Sequence, residues 1–250
     1  MLLEDIGSVI KTYRSRLGFT QNDLAAALQI SAQAVSKWER GENAPDIAML
    51  PQLSEILGVS IDTLLCSNWR DQRTVAATVL FADLQDFSSL ACKQSAADLA
   101  ISLNTFFYPL TEQVMAQDGL PVKYIGDELL AVFIGAQHQL RAFRAVFAAR
   151  RSQPFTARYT LASGQVWMGS IGHPLYARLD ILGDTVNMAS VLQKWAKTKT
   201  TSLVAASASA IEPVRAGLRL GFSETLSVLG AGETTEVYEV LALDEAGVQL

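Results

Sequence analysis

The 250-residue chain is long enough for one or two domains with substantial hydrophobic cores. Half of its residues are hydrophobic and 18% are charged, which excludes an intrinsically disordered protein. The formal net charge of −5 argues against a protein that coats nucleic acid or membrane surfaces nonspecifically. No signal peptide opens the chain, no apolar run reaches membrane-spanning length, and the two cysteines lack metal-ligand spacing. We therefore expect a cytoplasmic protein that contacts no membrane.

Residues 1–66 predict an all-α domain of five short helices. Apolar residues recur at helical spacing in the first helix, and Thr20 and Ser31 are good N-caps for the second and third. We expect the second helix at 21–30 and the third at 32–40. Two short helices joined by a tight turn have helix-turn-helix geometry.

The run FTQNDLAAALQISAQAVSKWERGENAPD strongly resembles the Cro/repressor-like helix-turn-helix family. This resemblance makes the third helix the recognition helix, which lies in the major groove of double-stranded DNA. The candidate DNA contacts are Gln33, Ser36 and Lys37 for base edges or adjacent phosphates, and Gln21 and Arg40 for phosphates. The structural alternative is that the same helices mainly build a core, in which Glu39 pairs with Arg14 instead of touching DNA.

The charge of this region makes a single module a weak DNA binder. Residues 1–70 carry six Lys or Arg and eight Asp or Glu, so the salt-dependent attraction to phosphate is modest. Tight binding to an inverted-repeat operator would need two modules held together. We therefore expect the rest of the chain to dimerise the protein.

Residues 67–74 are predicted to form a linker, and residues 75–243 an α+β domain followed by a tail at 244–250. Strands and helices alternate in the second domain, as in a sandwich built on the split βαβ plan. The predicted strands are 76–82, 121–125, 128–134, 157–167, 201–204, 218–223 and 236–242, and the predicted helices are 95–117, 137–151 and 184–197.

Two acids stand at turns of this second domain. Asp83 ends an apolar strand, where an ionised carboxylate is costly to bury unless a cation or hydrogen-bond donors meet it. Asp127 lies at the tip of a predicted hairpin, next to Gly126. Such acids could hold a divalent metal beside phosphates. Asp83 could equally cap the next helix, and Gly126-Asp127 could serve only as a tight turn.

The stretches TVLFADLQDFSSL, VKYIGDELLAVF and DILGDTVNMA together resemble the class III nucleotidyl cyclases, the adenylate and guanylate cyclase family. The resemblance covers roughly residues 75–243. It implies a ferredoxin-like cyclase fold and a homodimer whose two active sites form between facing domains. The family reaction joins the 3′-hydroxyl of a nucleoside triphosphate to its own α-phosphorus with the help of two cations.

The resemblance also assigns roles to single residues. It implies Mg²⁺ or Mn²⁺ at Asp83 and Asp127, and nucleotide contacts from Phe87 and Ser88 in the same chain. The base-selecting pair would be Lys123 and Asp180, whose donor and acceptor suit adenine better than guanine. Asn187 matches the ribose-orienting Asn of the family. The alternative for Asn187 is a local role at the start of a helix.

Three departures from the family pattern argue against catalysis. The position of the transition-state Arg is occupied by Val191, and the position of the triphosphate-binding Lys by Leu229. The Gly at which the backbone approaches the phosphates is replaced by Asp86, whose carboxylate repels a triphosphate. Lys194 and Lys197, on the same helix as Val191, are possible substitutes for the missing cations.

The sequence therefore predicts a dimeric DNA-binding transcriptional regulator. Its catalytically degenerate cyclase-like domain would dimerise it and sense a small ligand or nucleotide. Two alternatives stay open: an active adenylate cyclase tethered to DNA, and a purely structural dimerisation domain with an inactive pocket.

Overall fold

A computed structural model of the protein describes residues 2–65, 73–172, 178–227 and 234–244. The chain divides into two compact units, residues 1–71 and 72–250. Arg73 and Thr74, which were predicted to belong to the linker, instead begin the first strand of the second unit because they pair with Met168 and Trp167. The remainder of the predicted linker, 67–72, and the tail from 245 onwards lie outside the described residues.

The described residues of the first unit, 2–65, form helices joined by turns, as predicted. Its α-helices are α1 Leu2–Arg16, α2 Gln21–Leu28, α3 Ala32–Glu39, α4 Leu50–Leu57 and α5 Ile61–Leu65, with a 3₁₀ turn at Ile47–Met49. Thr20 and Ser31 cap α2 and α3 by accepting hydrogen bonds from the backbone N–H groups of Asp23 and Ala34. Helix α2 ends two residues earlier than predicted because Gln29 adopts a left-handed conformation with φ 57°.

The helices of the first unit pack around a buried core. Ala25, Val35, Trp38, Leu50 and Leu53 are buried in this core, and Ile56 is half-buried against it. Arg14 Nε donates to Glu39 Oε1 at 2.5 Å, with side chains 12% and 3% exposed. The prediction that Glu39 pairs with Arg14 is therefore confirmed, and a charge pair so deeply buried serves the fold of the unit.

The second unit is built on a mixed β-sheet. Its described strands are β1 Arg73–Leu84, β2 Leu120–Ile125, β3 Glu128–Ile134, β4 Ala157–Ile171, β5 Arg178–Leu182, β6 Val204–Ser207, β7 Leu218–Ser227 and β8 Thr234–Leu243. They are ordered β2-β3-β1-β4-β6-β8-β7, and β5 pairs with β4. The central strand β1 lies antiparallel to both β3 and β4, and its residues 77–83 have a cross-strand neighbour on either side.

Helices cover both faces of this sheet. They are α6 Phe87–Lys93, α7 Ala96–Ala116, α8 His138–Ser152, α9 Asp184–Lys199 and α10 Ala208–Ile211. Alternate residues of β1 point to opposite sides: Leu80 packs in the core beneath α7 and α8, and Val79 in the core beneath α9. This arrangement confirms the predicted α+β domain. No helix within the described residues is both long and apolar enough to cross a membrane.

The strand predicted at 201–204 is misplaced and begins at Val204. Thr201 and Ser202 instead donate their backbone N–H groups, each at 2.7 Å, to the buried Glu239 carboxylate. Leu203 adopts φ 62°, which a strand residue cannot have. Helices α6 and α10 and strand β5 were not predicted from the sequence, because each is short and lacks a clear periodic pattern.

Candidate functional site

Asp83 lies among charged neighbours at the end of β1. In the antiparallel register it faces Glu128 of β3 on one side and Arg158 of β4 on the other. Arg158 Nη1 donates to Asp83 Oδ2 at 2.5 Å, and the two side chains are 8% and 17% exposed. A metal ion at Asp83 would therefore compete with a buried guanidinium.

The β2–β3 hairpin brings Asp127 to the same place. Gly126 has φ 63° in the tight turn, a conformation that glycine adopts without steric cost. The Asp127 carboxyl lies within hydrogen-bonding reach of Asp83. Burial raises the pKa of Asp83 to about 7; the adjacent Arg158 opposes this rise, and the charge of Asp127 adds to it. The two acids predicted as metal ligands are thus neighbours in the fold.

A pocket of about 520 Å³ opens beside these acids. It is lined by Asp83 and Asp127, by the turn and helix start at residues 84–89, and by Arg158 and Lys197. Asp86 adopts φ 57° in this turn, a left-handed conformation that suits glycine and is tolerated by Asp. The predicted nucleotide contacts Phe87 and Ser88 lie in this lining, so four of the predicted site residues share one pocket.

Asp83 and Asp127 are suited to a divalent metal ion whose coordination shell is completed by oxygens of a bound ligand. No group of three or more His, Cys, Asp or Glu side chains in the described ranges is placed to hold a metal ion. Mg²⁺ is commonly held by one or two carboxylates together with phosphate oxygens and water. Asp83 and Asp127 repel each other, and a divalent ion between them would relieve that repulsion. These two residues would hold Mg²⁺ or Mn²⁺, with phosphate and water supplying the other oxygens.

The remaining predicted nucleotide residues lie elsewhere on the second unit. Lys123 Nζ forms an ion pair with Asp180 Oδ2 at 2.5 Å, and their side chains are 42% and 20% exposed. The pair joins β2 to β5, and neither residue lines the pocket beside Asp83. Asn187 is exposed on α9 and also lies outside that lining. Within one chain, the predicted site is therefore split into two parts.

The predicted DNA contacts on α3 are accessible. Gln33 and Lys37 are exposed and Ser36 is half-buried. Arg40 directly follows the helix and is also exposed, but its guanidinium donates to Ser36 Oγ and to Glu42 Oε1, the latter at 2.6 Å. DNA phosphates would have to replace these two acceptors.

Gln21, predicted to reach a phosphate, is engaged inside the unit. Its Nε2 donates to Glu39 Oε2 at 2.8 Å, beside the buried Arg14–Glu39 pair. Its side chain is half-buried, whereas Gln33 on α3 is exposed. A phosphate contact from Gln21 would therefore require this hydrogen bond to be exchanged.

Comparison with known families accounts for both units. The helix-turn-helix family model matches residues 10–64, and the model of the adenylate and guanylate cyclase catalytic domain matches residues 70–238. The chain belongs to the adenylate and guanylate cyclase family. It carries its cyclase domain as a fusion to an XRE-type helix-turn-helix.

Curated relatives of the cyclase domain are larger proteins. The chain is 25% identical over 195 residues to adenylate cyclase 1 of Rhizobium meliloti. The aligned region covers 71% of this chain and 29% of the relative. It is 32% identical over 174 residues to an uncharacterized protein of Mycobacterium tuberculosis. That aligned region covers 64% of this chain and 31% of the relative. The chain thus spans about a third or less of the curated relatives it matches.

Solved structures share the fold of the cyclase domain. The guanylyl cyclase Cya2 superposes with a TM-score of 0.60 at 21% identity, over 70% of this chain and 95% of its own. The adenylyl cyclase CyaB from P. aeruginosa also gives a TM-score of 0.60, at 18% identity, over 72% of this chain and 100% of its own. These similarities establish a cyclase fold for the second unit.

The structure shows the surroundings of two of the three residues that are predicted to depart from the family pattern. Val191 is a half-buried, uncharged residue of α9, and Asp86 occupies the left-handed turn of the pocket. Leu229 lies outside the described residues. Of the two lysines considered as substitutes for the missing cations, Lys197 lines the pocket and Lys194 does not.

Arg158 was missed by the sequence analysis, although it is the most buried cation of the pocket. A lone arginine at the start of a strand gives no local signal of function. Its partner Asp83 lies 75 residues away, and only the strand register brings the two together.

Proposed function

We propose that the chain is a dimeric transcriptional regulator that acts on double-stranded DNA in the cytoplasm. Its cyclase domain would hold the two DNA-binding units together and bind a nucleotide without cyclising it. The observation that carries this proposal is the pocket in which Asp83 and Asp127 lie together, where they could hold a metal. The proposed lack of turnover is supported by Val191, an uncharged residue at the position where the resemblance places the family's transition-state Arg.

The charge of the pocket favours a ligand with few phosphates. Three carboxylates, Asp83, Asp86 and Asp127, face two cations, Arg158 and Lys197. A triphosphate would enter a site that is negative before any metal binds. Loss of one oxyanion-stabilising donor typically lowers a rate by about 10²–10³. We therefore infer binding of a nucleoside or nucleoside monophosphate and negligible turnover, with Asn187 as a remnant of the family's catalytic set.

The split of the predicted site supports a homodimer. The Lys123–Asp180 pair and Asn187 lie outside the Asp83 pocket of their own chain. In the arrangement implied by the family, a second cyclase domain would bring these residues to face that pocket. Two-fold symmetry would then also present two copies of α3 to an inverted-repeat operator.

The first alternative is an active adenylate cyclase tethered to DNA. It is favoured by Lys197, a cation already in the pocket, and by relatives that are named adenylate cyclases. A second alternative is a purely structural dimerisation domain. In that case the Arg158–Asp83 ion pair would persist, and no metal or nucleotide would bind at Asp83.

A ligand screen followed by a product assay separates these functions. Nucleosides and nucleotides are tested for thermal stabilisation with and without Mn²⁺, since a ligand at a hundred-fold excess over its Kd stabilises the folded state by about 2.7 kcal/mol. Cyclic nucleotide is then measured by mass spectrometry. Stabilisation without product supports the proposal, and cyclic AMP that disappears in Asp83→Ala establishes the enzyme. Absence of any stabilisation leaves the structural alternative.

Charge substitutions test the proposed reason for negligible turnover. Val191→Arg combined with Asp86→Gly adds a cation at the predicted position of the family's Arg and removes an anion from the pocket, so the affinity for ATP should rise before any product appears. Ser190→Arg, also combined with Asp86→Gly, is the matched control, because it adds the same charge at an exposed neighbouring position of α9. An equal gain in ATP affinity from both arginines would contradict a local role of position 191.

A further inference from the structure

We propose that Glu42 is an internal competitor of DNA for Arg40: its carboxylate occupies the edge of the guanidinium that a backbone phosphate would take. This competition would lower the affinity of each helix-turn-helix unit for every DNA sequence. Stable binding would then depend on two units acting together. The inference rests on the DNA-binding function proposed above, and it assigns Glu42 a role that acts through Arg40.

The end of α3 fixes Glu42 beside the predicted recognition helix. Gly41 has φ 71° and donates its backbone N–H to the Trp38 carbonyl at 2.9 Å. The next N–H, that of Glu42, donates to the Lys37 carbonyl at 3.0 Å. These two hydrogen bonds form a Schellman motif, which glycine favours because it adopts the left-handed conformation without steric cost. The position of Glu42 is therefore set by local backbone geometry.

Arg40 and Glu42 form an ion pair with two hydrogen bonds. Arg40 Nε donates to Glu42 Oε1 at 2.6 Å, and Arg40 Nη2 donates to Glu42 Oε2 at 3.1 Å. Arg40 Nη1 donates to Ser36 Oγ, so each nitrogen of the guanidinium has an acceptor. A phosphate presents two oxygens to a guanidinium in the same parallel arrangement as a carboxylate. Glu42 and a DNA phosphate therefore require the same donors of Arg40.

Glu42 is an ionised acid beside two of the predicted DNA contacts. The hydrogen bonds from Arg40 hold the pKa of Glu42 below its ordinary value, and the charge of Lys37 lowers this pKa further. An anion beside both cations weakens the attraction of this end of α3 for phosphate. The side chains of Arg40 and Glu42 are 53% and 50% exposed, so DNA can reach the guanidinium. Exposed ion pairs are weak, so a phosphate can displace Glu42 at a cost in affinity.

The test measures binding of the full-length protein to a mixed-sequence DNA duplex by fluorescence anisotropy across a NaCl series. Glu42→Gln should bind about threefold more tightly per unit, and hence about tenfold more tightly when both units of a dimer are engaged. When phosphate displaces Glu42 in the wild type, the freed carboxylate takes up a cation, which offsets one of the cations released from DNA. The salt dependence of Glu42→Gln should therefore be steeper by about one cation per unit.

Two comparisons show whether Glu42 acts through Arg40. In an Arg40→Gln background, Glu42→Gln should change the affinity by less than about twofold, because the cation for which Glu42 competes is absent. Glu55→Gln removes the same charge from an exposed position of α4 and should behave like the wild type. All three substituted side chains are exposed, so the variants should keep the fold of the unit.

Each outcome decides the proposal. Unchanged or weaker binding by Glu42→Gln overturns it, because Glu42 would then leave Arg40 free for phosphate or help to position it. An equal gain in the Arg40→Gln background, or from Glu55→Gln, also overturns it, because Glu42 would then act only through net charge. In these cases the proposed regulator stands, since the wild type still binds DNA. If none of these proteins binds DNA, the regulator and this inference are both refuted.

Discussion

Replacing Asp127 by Asn should stabilise the cyclase domain, because it removes a carboxylate from beside Asp83 and leaves the Arg158–Asp83 ion pair intact. Burial and neighbouring charge raise the pKa of Asp83 to about 7. An ordinary Asp has a pKa of about 4. Between about pH 4 and pH 7, Asp83 of the folded protein therefore holds a proton that the same residue has released in the unfolded chain. The free energy of unfolding therefore falls as the pH rises from about 4 to about 7.

The size of the effect follows from the repulsion between the two ionised acids. Two charges about 4 Å apart interact by about 1 kcal/mol in water and by about 4 kcal/mol at an effective dielectric constant of 20. Asp83 is only partly buried and Arg158 screens it, so we expect Asp127→Asn to gain about 1–2 kcal/mol at pH 8. At pH 5 the wild-type Asp83 is protonated, the repulsion is absent, and the gain should be close to zero.

Hydrogen-exchange mass spectrometry across a urea series, in metal-free buffer at pH 5 and pH 8, measures this difference for peptides of the second unit alone. Asp118→Asn is the matched control, since Asp118 lies in a turn of the same unit with a side chain that is 90% exposed. A gain of equal size at both pH values, or a loss at pH 8, would refute the proposed repulsion.

Two further predictions concern DNA recognition and dimerisation. Gln33→Ala should reduce discrimination between operator sequences in gel-shift assays, whereas Arg40→Ala should weaken binding to all sequences, because phosphate contacts carry no sequence information. Failure to find any preferred site among genomic fragments would remove the support for a regulator. Residues 72–250 should form a dimer at micromolar concentration in light scattering, and a monomer there would contradict dimerisation through the cyclase domain.

Local chemistry explains how much of the fold could be predicted. Thr20 and Ser31 mark helix starts because each caps backbone N–H groups only a few residues away. The alternation of buried side chains along β1, such as Val79 and Leu80, likewise depends only on the period of a strand. Predicted boundaries were wrong where a group distant in sequence intervened. The Glu239 carboxylate binds the backbone N–H groups of Thr201 and Ser202, so β6 begins at Val204 and not at residue 201.

The amino-acid sequence by itself determined the two-domain organisation and the cyclase family, because both depend on motifs that can be read along the chain. Only the tertiary structure decided that Arg158 lies against Asp83 and that Lys197, rather than Lys194, lines the pocket. Strand register and the orientation of α9 follow from burying apolar side chains far apart in the chain. Charged side chains such as Arg158 and Asp83 come into contact only when the strands and helices that carry them pack together.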